Sequence, residues 1–126
     1  MFTLACQFGG CSITILIPEI ADYELRRELL RATKSTSIQR LDALAQATEY
    51  LPITTAIMRR AAQLWAQARK QGQPTAADDS IDADVILAAQ AIELGVPNIV
   101  IATTNVGHLA RFVPARLWQD ITTPVV

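Results

Sequence analysis

The chain has 126 residues, 51% of them hydrophobic, with 11 basic and 12 acidic side chains and a net charge of −1. That length points to one domain spanning 1–126, with enough apolar content for a core of its own. The even charge balance excludes a global field that would draw the protein to nucleic acid or a membrane, so any polyanion site has to be a local patch. Cys6 and Cys11 are too few for a disulfide framework or a zinc site, and read as reduced thiols of a cytoplasmic protein.

Residues 1–11 show no lasting strand or helix period and read as irregular. Residues 1–18 carry no charge, so the basic region of a secretory signal is missing. The apolar run 13–17 is too short to span a bilayer, which takes about 20 residues. A soluble protein without a membrane role is expected. Residues 12–17 are β-branched and apolar, bounded by Pro18, and read as a buried strand.

A helix follows over 19–32, with Ile20, Tyr23, Glu24, Leu25, Leu29 and Leu30 on one face and Arg26, Arg27 and Arg31 around the other side. Residues 33–37 read as a polar break and 38–50 as a second helix. Residues 51–53 are extended, because a residue before proline avoids the α region. Thr54 or Thr55 can cap a third helix over 56–71, which Gly72 ends. Residues 73–79 form a loop, and 82–94 a fourth helix closed by Gly95 and Pro97. Residues 98–103 read as a second buried strand, Asn105 opens a short helix to about 112, and 117–121 is a candidate edge strand. This alternation predicts an α/β sandwich, a parallel sheet flanked by helices in three layers.

In such sheets, sites form at the carboxyl ends of strands. Glu24, Asp84 and Asn105 are placed there. Four of the 12 acids, Asp78, Asp79, Asp82 and Asp84, fall within seven positions ahead of an apolar helix. Asp78, Asp79 and Asp82 read as loop or cap acids at a helix N-terminus, each worth about 0.3–1 kcal/mol. Asp84 begins the apolar stretch itself, where a half-buried carboxylate needs a partner or a metal. Glu24 can pair with Arg27 or Arg31 at helical spacing, and Asn105 suits an N-cap. His108, the lone histidine, reads as a surface or helix residue. Oxygen ligands without usable His or Cys suit a hard cation, Mg²⁺ or Mn²⁺. Carboxylate-bound ions of that kind serve phosphodiester hydrolysis. The arginines 26, 27, 31, 59 and 60 read as solvated faces that could supply a phosphate patch.

Three segments together resemble PIN domains, the fold of toxin ribonucleases in toxin–antitoxin pairs. Pro18-Glu19-Ile20-Ala21-Asp22-Tyr23-Glu24-Leu25-Arg26-Arg27-Glu28-Leu29 is similar to the family's second motif. Asp82-Ala83-Asp84-Val85-Ile86-Leu87-Ala88-Ala89-Gln90-Ala91 is similar to the third, and Ile101-Ala102-Thr103-Thr104-Asn105-Val106-Gly107-His108-Leu109 to the fourth. The resemblance covers about residues 13–121. It implies a Mg²⁺- or Mn²⁺-dependent ribonuclease with Glu24, Asp84 and Asn105 as catalytic residues. Glu24 and Asp84 would be its metal ligands, with Asp82 as an additional acid. RNA is then the substrate, a small antitoxin protein a partner, and a homodimer the assembly.

One departure from the family pattern stands out. PIN domains open on a strand carrying an acid, and this chain has none before Glu19. The first strand therefore reads as missing or divergent, through a truncated or mis-started N-terminus or a degenerate member. Its loss would expose a sheet edge and weaken divalent binding. The alternative function is a catalytically impaired PIN-like protein that binds RNA or a partner chain.

Overall fold

The computed structural model describes residues 4–9, 12–72, 82–95, 99–103 and 106–117. Five strands form one sheet in the order β3-β2-β1-β4-β5. They are β1 (Leu4–Gly9), β2 (Ser12–Pro18), β3 (Glu49–Leu51), β4 (Ile99–Ala102) and β5 (Ala115–Arg116). The helices are α1 (Glu19–Arg31), α2 (Ser35–Ala47), α3 (Thr55–Lys70), α4 (Ala83–Glu93) and the short α5 (Val106–Leu109). The expected α/β class is what the chain adopts.

The amino-terminal segment differs from its sequence reading. Residues 4–9 are a strand, and it occupies the middle of the sheet. β1 runs antiparallel to both neighbours, with Cys6 opposite Ile15 of β2 and Val100 of β4. β2 with β3 and β4 with β5 are parallel pairs. The sheet is therefore mixed, and the edge expected to lie open on β2 is paired by β1. Ala5 and Gly9 are poor strand formers, which is why no pattern showed. Pairing on both sides, rather than intrinsic preference, holds this segment in the sheet.

The remaining elements follow the sequence with shifted ends. Pro18 closes β2 and stands at the N-cap of α1 with φ −69° and ψ 136°, a fixed φ that turns extended chain into helix. α2 begins at Ser35, inside the expected break, because serine and threonine suit a first helical turn. Thr33, at φ 57°, carries the reversal between the two helices. The second helix stops at Ala47, and Tyr50 pairs with Ile17 in β3 where a helical residue was expected. Thr54 caps α3 by accepting a hydrogen bond from the Ile57 amide at 3.2 Å. Gly95, at φ 69°, follows α4 in the left-handed conformation that glycine adopts without strain. β5 covers only Ala115–Arg116, and the rest of the expected edge strand lies outside the described residues.

The core joins α1, α3, α4, α5 and β4 through Ile20, Ile57, Ala61, Leu87, Ala88, Ala89, Ile101 and Leu109. α4 is its centre. Every residue from Val85 to Ala91 is buried, as befits a helix that is apolar all round. None of the described helices is long and apolar enough to cross a membrane.

Candidate functional site

α1 leaves the carboxyl end of β2 directly, so its first turns lie at that edge of the sheet. α4 precedes β4 in the chain and is joined to α1 by the hydrogen bond from the Ile20 amide to Gln90. The two helices that carry Glu24 and Asp84 therefore lie against each other.

Glu24 and Asp84 are electrostatically coupled. The Glu24 carboxyl is pushed above its ordinary range by burial; the Arg27 cation opposes this, and the negative charge of Asp84 adds a smaller upward push. The guanidinium of Arg27 stands 4.0 Å from Glu24, a helix pair between half-exposed groups. Arg31, the other expected partner, instead pairs with Glu28 at 2.8 Å. The ion pair is thus present and outweighs the effect of Asp84, so it is burial that leaves the Glu24 carboxyl raised.

Asp82 has a different environment. Its Oδ1 accepts hydrogen bonds from the amides of Asp84 at 3.1 Å and Val85 at 3.3 Å, capping α4. Its Oδ2 is buried and has no hydrogen-bond partner among the described residues. One oxygen is therefore structural, and the other is an orphaned acceptor in a side chain only 7% exposed. Asn105 lies outside the described residues.

Among the described residues, no three Asp, Glu, His or Cys side chains gather into a ready metal cluster. The donors present still suit Mg²⁺ or Mn²⁺, which bind through one or two carboxylates and keep several waters. The structure does not bring Asp82 together with Glu24 and Asp84 as a three-carboxylate cluster.

Sequence reading missed a second polar group that braces this edge. Asp22, buried on α1, accepts hydrogen bonds from Arg26 at 3.1 Å and from the Tyr50 hydroxyl at 2.7 Å. Arg26 reaches on to Asp42 of α2 at 2.7 Å. Burial and the bond to Asp22 both raise the Tyr50 pKa, so its proton stays on the donor. The Glu19 carboxylate accepts from the Ile53 amide at 2.8 Å. Glu19, Asp22, Arg26, Tyr50 and Ile53 line an open groove of about 650 Å³ with Met58. The i, i+4 spacing of Asp22 and Arg26 was the signal in the sequence.

A mixed sheet with parallel strand pairs and helices packed on it defines an α/β fold. The sequence matches the PIN domain over residues 9–111, a stretch that holds Glu24, Asp82, Asp84 and Asn105. The chain belongs to the PIN domain family, a nuclease family whose members bind RNA and typically use divalent metal ions. No curated protein matches it.

Proposed function

We propose that this protein is a Mg²⁺- or Mn²⁺-dependent endoribonuclease of toxin type, acting in the cytoplasm as a homodimer and held in check by a small antitoxin protein. The coupling of Glu24 to Asp84 carries this reading. The charge of Asp84 acts on a Glu24 carboxyl already raised by burial, and a carboxyl perturbed by burial together with a specific charge partner is a functional-site candidate.

Glu24 and Asp84 would hold the cation, with Asp82 contributing its free oxygen and Asn105 positioning metal or water. Bound there, the ion would lower the pKa of a water and stabilise the leaving oxygen of a phosphodiester. The residues of the chain supply the rest. Burial raises the proton affinity of the Glu24 carboxyl, and a cation bound beside it would oppose that. The Asp82 cap holds the first turn of α4, and so Asp84, in place. Arg27, half exposed beside Glu24, offers a charge to an RNA phosphate.

A second reading rests on a specific observation. The described residues gather no three-ligand cluster, and the family's opening acid has no counterpart before Glu19. A PIN protein that binds RNA or a partner chain without cutting would have this composition.

Cleavage of a structured RNA with Mn²⁺, with EDTA and by Asp84→Asn decides between them. Cleavage that requires both Mn²⁺ and Asp84 supports the nuclease. RNA binding without cleavage, unaffected by EDTA, supports the binding protein.

A further inference from the structure

Gln90 stands in the middle of α4, inside a run of apolar residues, and is only 2% exposed. A buried side chain there would by default be Leu or Met, and an amide is tolerated only if its polar atoms are bonded. Both are. Oε1 accepts a hydrogen bond from the Ile20 amide of α1 at 3.3 Å, and Nε2 donates to the Leu51 carbonyl at the end of β3 at 2.8 Å.

Each of those partners needs Gln90. Pro18 at the N-cap of α1 makes no side-chain cap, so the Ile20 amide is one of the orphan donors of a helix start. Ile20 is itself 6% exposed, which leaves little room for water to replace the bond. Leu51 is the last residue of β3, where the ladder to β2 ends at Pro18.

The positions matter for the site. Ile20 lies one helical turn before Glu24 on α1, and Gln90 lies less than two turns beyond Asp84 on α4. A single planar amide thus ties the helix carrying one carboxylate to the helix carrying the other, with the end of β3 as a third anchor. A buried side-chain amide has fixed donor and acceptor directions, so satisfying both bonds ties the three elements to one geometry.

We infer that Gln90 is a positioning residue, which sets the placement of Glu24 relative to Asp84 and through it the affinity of that pair for a divalent cation. The inference rests on the reading of the two carboxylates as the metal site.

The test uses the whole protein without RNA. Mn²⁺ binding is measured from the spin-resonance signal of the free ion, and amide exchange is followed at Ile20. Wild type is compared with Gln90→Met and with Leu41→Ala, a core variant on α2 that serves as a destabilised reference. Gln90→Met should bind Mn²⁺ about tenfold or more weakly, the scale of a lost supporting bond around a metal, and should exchange the Ile20 amide faster. Leu41→Ala should change neither. Wild-type Mn²⁺ affinity in folded Gln90→Met, or an equal loss in Leu41→Ala, would overturn the inference.

If Gln90→Met does not fold, Gln90→Asn takes its place. Its amide is one methylene shorter and cannot reach Ile20 and Leu51 together, so an affinity below wild type is expected and an unchanged one refutes the role. Should wild type bind no Mn²⁺, the carboxylate-pair reading falls. Ile20 exchange then decides alone whether Gln90 braces α1, and wild-type exchange in Gln90→Met would overturn that too.

Discussion

Glu24 and Asp84 are 60 positions apart in the sequence and sit on different helices, yet the charge on Asp84 raises the pKa of Glu24. The sign of the consequence for stability follows from linkage. The folded chain holds the Glu24 proton at pH values where the unfolded chain has lost it, so stability falls as pH rises through and above the ordinary glutamate range. Glu24→Gln should remove that slope and leave the protein more stable at neutral pH. The gain should stay below about 1 kcal/mol, because the Glu24 side chain is 45% exposed and solvent screens the repulsion. Melting curves from pH 4 to 8 check this, and a variant that tracks wild type throughout would deny the coupling.

A divalent ion should act in the opposite direction. Mn²⁺ at ten times its dissociation constant stabilises a single-site protein by about 1.4 kcal/mol. Wild type should show that gain at neutral pH, and Asp84→Asn should lose most of it. Equal shifts in the two proteins would place the ion elsewhere.

Asp82 joins a structural and an anionic role in one side chain. Asp82→Ala removes the cap of α4 and should cost about 1 kcal/mol. Asp82→Asn keeps an oxygen for the Asp84 and Val85 amides while removing a buried charge, and should stay within about 0.5 kcal/mol of wild type in urea unfolding. The same Asn variant should bind Mn²⁺ several-fold more weakly. Undiminished binding would return Asp82 to a helix cap alone.

Tyr50→Phe breaks the bond to Asp22, whose side chain is only 10% exposed. A hydrogen bond to a charged group is worth about 1.5–3 kcal/mol, and a loss of that size is expected. Because the Tyr50 pKa is raised, by burial first and by Asp22 second, the loss should be constant from pH 6 to 9. A difference that vanishes within that window would mean the phenol is not the donor.

How much of this was legible in the sequence depends on the range of the interaction that decides each feature. α1, α3 and α4 were readable because their signals are local: the period of apolar residues, the Thr54 cap, and Gly95 after α4. Motif position singled out Glu24 and Asp84, which lie on α1 and α4. The start of α2 was lost to its own Ser and Thr residues, which serve loops and first turns alike. β1 was not readable, because Ala5 and Gly9 carry no strand preference and only pairing places them, Ala5 opposite Leu16 and Ile101 and Gly9 opposite Ser12. Gln90 was conspicuous as the polar member of an apolar run, but its partners on α1 and β3 are 70 and 39 positions away. Tyr50 likewise finds Asp22 only when β3 docks beside β2.

The reversed direction of β1 also shapes how the sheet assembles. Only two residues separate β1 from β2, so the middle of the sheet begins as a hairpin, and closing so short a loop is fast. Docking β4 is the opposite case, since Cys6 and Val100 are 94 positions apart. Folding rate should therefore respond strongly to substitutions in β4 and its approach through α4, and only weakly to the loop between β1 and β2.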